Sequence, residues 1–71
     1  MYLLQTMRKR LRAVRDAAYE YDRLLSEEAI QRGERWAGGK ALRRSAARYA
    51  EIGRACDAAL AAAEAARRDL L

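Results

Sequence analysis

The middle of the chain decides its fold, in the stretch Arg32-Gly33-Glu34-Arg35-Trp36-Ala37-Gly38-Gly39-Lys40. This stretch holds three of the four glycines and the only tryptophan, and the chain contains no proline. Glycine commonly ends a helix, whereas a chain without proline can stay helical over long distances. The sequence therefore predicts a turn at residues 32–39 between two long helices.

Apolar residues on both sides of the turn recur at alternating spacings of three and four, which is the heptad pattern of packed helices. The pattern predicts one helix over about residues 2–31 and a second over about 40–70. In the first helix the predicted seam is Leu4, Met7, Leu11, Val14, Ala18, Tyr21 and Leu25, widened by Leu3, Ala17 and Leu24. In the second it is Leu42, Ser45, Tyr49, Ile52, Cys56, Ala59, Ala63, Ala66 and Leu70, flanked by Ala46, Gly53 and Leu60. The widened stripe of the first helix suggests contact with more than one neighbour.

A turn this short forces the helices to lie antiparallel. We therefore predict an all-α, antiparallel two-helix hairpin that forms one domain over residues 1–71. A chain of 71 residues with an alanine-rich seam buries little apolar surface, so it needs a disulfide, a metal or a partner. One cysteine and no histidine leave only the partner. We expect a four-helix bundle, as a homodimer or a hetero-complex, with no metal and no other cofactor.

Folding the chain about Trp36 also predicts which charges face each other. The acidic second half of helix 1 would lie opposite a set of arginines in helix 2, namely Arg43, Arg44, Arg48 and Arg54. The basic first half of helix 1 would lie opposite Asp57, Glu64 and Asp69. Such matching disfavours parallel or slipped pairing, although each surface pair contributes only about 0–1 kcal/mol.

The formal net charge of +5 and a pI near 10.0 raise the alternative of nucleic-acid binding. One candidate contact for phosphates is the basic patch Arg8, Lys9, Arg10, Arg12 and Arg15. Such a patch would bind without sequence preference and in a salt-dependent manner. The competing interpretation is an ordinary solvated helix surface, which fits the charge matching and the lack of any known nucleic-acid-binding motif.

The turn itself is the main candidate for a partner contact. Lys40, Arg43 and Arg44 open helix 2, where the backbone N–H groups already present positive charge, so they could receive an anion or a partner carboxylate. Trp36 would either fold back as a cap over the helix ends or anchor a partner, since Trp and Arg are frequent in binding hot spots. The predicted partner-binding residues are Arg32, Arg35, Trp36, Lys40, Arg43, Arg44 and, off the seam, Tyr19.

Nothing in the sequence points to catalysis or to a small-molecule substrate. A phosphate-binding P-loop would require glycine at Glu34 and a hydroxyl residue at Ala41, so that pattern fails. Without histidine no Ser-His or Cys-His pair can form, and Cys56 lies in the predicted seam as a small core residue. No segment approaches a membrane span, and we rank peripheral attachment of helix 1 to anionic lipid last. We expect a non-enzymatic, cytoplasmic protein of bacterial or phage origin.

The tripeptide Trp36-Ala37-Gly38 between two helices resembles the W-x-G turn of the small helical-hairpin proteins of type VII secretion. Their export signal, a tyrosine followed four positions later by an acidic residue, is absent, because Gly53 follows Tyr49 and Arg23 follows Tyr19 at that spacing. The length and the Arg-Gly turn are also similar to those of the co-chaperones of type III needle subunits. Both resemblances imply a helical hairpin that binds another helical protein.

These observations favour a small adaptor, chaperone-like subunit or inhibitor. It would dock on partner helices through its heptad faces and through the Arg/Trp tip of the hairpin.

Overall fold

The structure, a computed structural model, describes residues 2–70, with the side chains of residues 3–70. Two helices make up the fold, α1 (Tyr2–Arg32) and α2 (Gly39–Leu70), and no strand occurs in the described part of the chain. They pack against each other over an elongated shape of 55 × 15 × 12 Å. The protein is therefore the all-α, antiparallel two-helix hairpin that the heptad pattern predicts.

The turn is built from consecutive hydrogen-bonded bends. Gly33 has a φ of 87°, and its N–H lies 3.3 Å from the carbonyl oxygen of Ala29 and 3.2 Å from that of Ile30. This left-handed glycine ends α1 one residue later than predicted, because glycine adopts positive φ at no steric cost. The carbonyl of Gly38 then accepts the first hydrogen bond of α2, from the N–H of Leu42 at 3.1 Å, and α2 begins one residue earlier than predicted.

Contacts between the helices show the register of the hairpin. The ion pair of Arg8 with Glu64 joins residues that lie equally far along the chain from Trp36. The same holds for Arg15 and Asp57, whose side chains form a second ion pair. Folding about Trp36 is therefore the correct register.

The face of α1 that contacts α2 coincides with only part of the predicted seam. Met7, Val14 and Tyr21 remain 47%, 51% and 53% exposed. The residues that turn toward α2 combine the other half of the predicted seam with four that it omitted: Leu4, Leu11, Ala18 and Leu25 with Arg8, Arg15, Asp22 and Ala29. Both sets obey the heptad spacing, and the long arginines can lay their methylene groups along the neighbouring helix while their charges stay in water.

The α2 seam differs from its prediction in the same way. Ile52 and Leu70 are exposed, as are Ser45 and Ala66, whereas Ala46 and Gly53 are buried. Cys56 is buried with a free thiol, as predicted for a small core residue. Small residues therefore face α1, and they let the two helices approach closely.

The core of the hairpin is correspondingly slight. Its buried side chains are those of Ala18, Ala29, Ala46 and Cys56, and no large side chain within residues 3–70 is fully buried. Eight large apolar side chains of the described residues are instead exposed: Leu3, Met7, Val14, Tyr21, Leu24, Ile30, Ile52 and Leu70. Because hydrophobic stabilisation scales with the apolar area removed from water, the hairpin alone gains little of it.

Candidate functional site

One side of the hairpin carries exposed apolar side chains from both helices. On α1 five large apolar residues lie on one stripe, in which Arg10 occupies the position between Met7 and Val14, and α2 adds two more beside them. We call this surface the apolar face and define it as Leu3, Met7, Val14, Tyr21, Leu24, Tyr49 and Ile52.

A pair of aromatic rings joins the two helices on this face. The ring centroids of Tyr21 and Tyr49 lie 5.2 Å apart with the planes tilted by 38°. Tyr49 and Ile52 in turn line one shallow depression of α2 together with Ser45 and Arg48. The stripe on α1 therefore continues onto α2 without a polar break at this level.

The other side of the hairpin is held by polar contacts. The hydroxyl of Tyr19 donates a hydrogen bond to Oδ2 of Asp57 at 2.6 Å, and Nη1 of Arg15 lies 3.4 Å from Oδ1 of the same carboxylate. This hydrogen bond, and then partial desolvation, raise the pKa of Tyr19 above its ordinary value. Tyr19 and Tyr21 lie about 200° apart around the helix, which is why two near neighbours serve opposite sides.

The sequence predicts that Tyr19 contacts a partner. In the structure its ring lies on the backbone of Gly53, where an added Cβ would come within 2.5 Å of the ring atom Cε1. Since its hydroxyl is also engaged by Asp57, both ends of the side chain have contacts within the hairpin.

At the tip, the ring of Trp36 folds back on the turn. An added Cβ at Gly38 would lie 2.6 Å from Cζ2 of the indole, so the ring covers that glycine. The guanidinium carbon of Arg32 lies 4.9 Å from the ring centroid, at cation–π distance, and Nε of Arg32 donates to Glu28 at 2.8 Å. Of the two predicted arrangements, this is the cap. Arg35 beside it is exposed.

The predicted matching of charges is wrong for the half of the hairpin next to the tip. The acidic residues of α1 pair within their own helix: Arg23 bridges Glu20 and Glu27, and Glu28 binds Arg32. These carboxylates raise the pKa of Arg23, with the hydrogen bond to Glu20 as the largest cause. Partners three or four residues away on one helix are closer than those on the facing helix, so they take the ion pairs.

The arginines of α2 are left without these partners. We define the basic face of α2 as Lys40, Arg43, Arg44, Arg48 and Arg54, which are all exposed and form no ion pair with any described residue. The first three are among the predicted partner contacts, and the structure brings them together on one helix.

The predicted basic patch at the other end of α1 divides into two groups. Arg8 and Arg15 cross to Glu64 and Asp57, each at 3.4 Å, and so contribute to the hairpin itself. Lys9, Arg10 and Arg12 are exposed, and no ion pair to them occurs within residues 3–70. Of the predicted phosphate contacts, these three therefore lie outside the ion pairs that join the two helices.

The described part of the chain holds no group of three or more His, Cys, Asp or Glu residues arranged to bind a metal ion. Neither α1 nor α2, as far as they are described, is both long and apolar enough to cross a membrane.

Comparison of the chain with protein-family models, with curated proteins and with solved structures finds no match. The apolar face and the basic face are therefore identified from the structure of this chain alone.

Proposed function

We propose that the protein is a small, non-enzymatic protein-binding module that docks on helices through its apolar face. The observation that carries this proposal is the inverted distribution of side chains, in which the hairpin buries alanines and exposes residues such as Val14, Tyr21 and Ile52. Complete burial of a side chain of this size stabilises a complex by about 1.5–3 kcal/mol. Several such residues on one face are therefore enough to drive association.

The spacing of the apolar face indicates the kind of partner. Val14, Tyr21 and Leu24 recur at intervals of seven and three, which is how one helix presents anchors to another helix. We propose that binding completes a four-helix bundle, as a homodimer or a hetero-complex. The protein would serve as an adaptor, chaperone-like subunit or inhibitor in the cytoplasm, where the free thiol of Cys56 stays reduced.

The tip is a second contact in this proposal. Arg35 is exposed at the end of the hairpin and Trp36 lies beside it, and residues of these types supply much of the binding energy in many interfaces. Trp36 is only half-buried beside Arg32, so part of its ring stays accessible. We propose that the tip contributes specificity and the apolar face contributes affinity.

Affinity capture from the cells that make the protein tests this function. A tagged chain would be compared with the variants Val14→Glu and Trp36→Ala, and with Ala61→Glu as the matched control on an exposed position outside the apolar face. We expect Val14→Glu to lose the captured protein and Ala61→Glu to retain it. The proposal fails if Val14→Glu stays helical and captures the same protein to the same extent. If Trp36→Ala captures the same protein to the same extent, the tip does not contribute to binding, and the proposal for the apolar face is unaffected.

A second candidate function is sequence-independent binding of nucleic acid. The observation that favours it is the basic face of α2, because its arginines are free of the ion pairs that would have explained them structurally. Side chains of Arg44 and Arg48 lie one helical turn apart on the exposed surface, where both could contact the phosphates of one strand.

Salt dependence tests this second function. Removing one arginine that binds a phosphate should reduce the slope of log K against log salt by about 0.9 for duplex DNA. We expect the double variant Arg44→Gln/Arg48→Gln to flatten the slope, whereas Arg23→Gln, which removes a paired arginine, should leave it unchanged. The absence of any DNA or RNA binding at low salt would rule this function out.

A further inference from the structure

We infer that the occupant of the apolar face is a second copy of this chain, with α1 of each copy packed on α2 of the other. This inference rests on the proposed function, since it names the partner of the same face. The two hairpins would be related by a two-fold axis parallel to the helices, so that both tips lie at the same end of a four-helix bundle.

The dimensions of the hairpin fit such a dimer. The whole of one side of a hairpin measuring 55 by 15 Å projects about 800 Å², comparable to the area that each partner contributes to a stable interface of standard size. The apolar face forms part of this side, from Leu3 near one end of the hairpin to Leu24, eight residues before the end of α1. A second hairpin of equal length would therefore cover the whole apolar face.

The shapes of the two helices complement each other across this interface. On α1 the large residues Met7, Val14 and Tyr21 recur every seven positions, and on α2 Ile52 is followed at the same interval by Ala59 and Ala66. In a register one residue away from that of the hairpin itself, Met7 faces Ala66 of the second copy, Val14 faces Ala59, and Tyr21 faces Ile52. Large side chains thus meet mainly small ones, as close helix packing requires.

The charges complement each other in the same arrangement. Glu28 continues the stripe of Tyr21 by one heptad, and Arg48 precedes Ile52 by one helical turn, so Glu28 of one copy would lie within about one turn of Arg48 of the second. Within the hairpin Arg48 has no ion pair, whereas Glu28 pairs only with Arg32 along α1. The second copy therefore supplies an acidic partner for one arginine of the basic face of α2, and it does so twice by symmetry.

Light scattering of the purified chain gives the first test. We expect a mass about twice the 8.1 kDa of one chain at micromolar concentration. Val14→Glu should be monomeric, and Ala61→Glu should be dimeric like the parent. A parent chain that is monomeric throughout overturns the inference.

Disulfide trapping tests the arrangement without relying on a disruptive variant. In a Cys56→Ala background, chains carrying Val14→Cys are mixed with chains carrying Ala59→Cys and oxidised. We expect the mixed disulfide between the two kinds of chain, because their Cα atoms would lie within the range that a disulfide spans. Mixing Val14→Cys with Ala61→Cys is the control and should give little product. Efficient self-linking of Val14→Cys would overturn the arrangement, because it would place α1 on α1.

Failure of this inference can be told apart from failure of the proposed function. If the parent chain is monomeric but captures a different protein, and Val14→Glu abolishes this capture, then the inference of a homodimer is wrong and the proposed docking function stands. A monomeric chain whose capture is insensitive to Val14→Glu overturns both.

Discussion

The hydroxyl of Tyr19 donates a 2.6 Å hydrogen bond to the carboxylate of Asp57, which joins α1 to α2 near the middle of the hairpin. The bond is possible because Gly53, one helical turn before Asp57, leaves room for the tyrosine ring. The large side chain of Tyr19 on α1 therefore packs over Gly53 on α2, which has no side chain, and the two residues fix the register of the helices at this level.

Replacing Gly53 by alanine should change the free energy of unfolding in opposite directions, depending on whether the ring of Tyr19 is present. Alanine raises helix propensity by about 1 kcal/mol relative to glycine. Its Cβ, however, would lie 2.5 Å from the ring of Tyr19, and such overpacking costs about 1–3 kcal/mol. We expect Gly53→Ala to reduce the free energy of unfolding by about 1 kcal/mol, measured by urea denaturation.

The same substitution in a Tyr19→Ala background is the control. With the ring removed, only the propensity remains, and Gly53→Ala should then stabilise the hairpin by about 1 kcal/mol. Equal effects in the two backgrounds would mean that the ring of Tyr19 does not occupy the space above Gly53 in solution.

The stabilising effect of the Tyr19 hydroxyl should disappear at high pH. Its pKa is raised in the folded chain, first by the hydrogen bond to Asp57. A raised pKa means that this stabilisation is complete below the unfolded tyrosine value of about 10 and is lost as the pH rises through the folded value. The parent chain should therefore be more stable than Tyr19→Phe at neutral pH, and the difference should shrink above pH of about 10. Denaturation of both chains across this range measures it, and a difference independent of pH would contradict the assignment.

Two glycines of the turn offer a matched comparison of backbone strain. An added Cβ has open space at both Gly33 and Gly39, but only Gly33 has a positive φ. We expect Gly33→Ala to destabilise the hairpin by about 1 kcal/mol, because alanine is strained in the left-handed region. Gly39→Ala, at the start of α2, should be neutral or slightly stabilising. Thermal unfolding of the two variants side by side decides between strain and crowding.

The indole of Trp36 should report on Gly38. Because the ring covers this glycine, Gly38→Ala would push it outward and away from Arg32. The chain has one tryptophan, so its fluorescence reads this site alone. We expect the emission of Gly38→Ala to shift to longer wavelength as the ring becomes more hydrated, while Gly39→Ala leaves it unchanged. Identical spectra for all three chains would show that the ring does not pack on the turn.

The sequence predicts the hairpin and its register but not which stripe of α1 faces α2. The hairpin and its register can be predicted because the glycines near Trp36 and a heptad repeat without proline act through local geometry. The stripe is ambiguous, since Leu11 and Ala18 belong equally to a set continued by Val14 and to a set continued by Arg15. Apolarity favours Val14, whereas in the structure the half-buried Arg15 faces α2 and reaches Asp57.

The full set of ion pairs cannot be predicted from the sequence, for a similar reason. Periodicity shows which parts of two helices lie opposite each other, and it correctly places the basic first half of α1 opposite Asp57 and Glu64, which pair with Arg15 and Arg8. It does not show that Arg23 has two acidic neighbours on its own helix that bind it first. The basic face of α2 can be recognised only once it is known that the acidic residues of α1 pair within their own helix. The resemblance of the turn to secretion-system hairpins stays a prediction.

The inverted distribution of large and small side chains has a consequence for how long the protein lasts in a cell. A chain with Val14 and Tyr21 exposed and only four small side chains in its core opens readily to proteases when it stands alone. Burial of those residues in a complex lowers the population of open chains by mass action. Copies made in excess of their binding partners would thus be cleared first, and the abundance of the protein would follow that of its complex without a separate degradation signal.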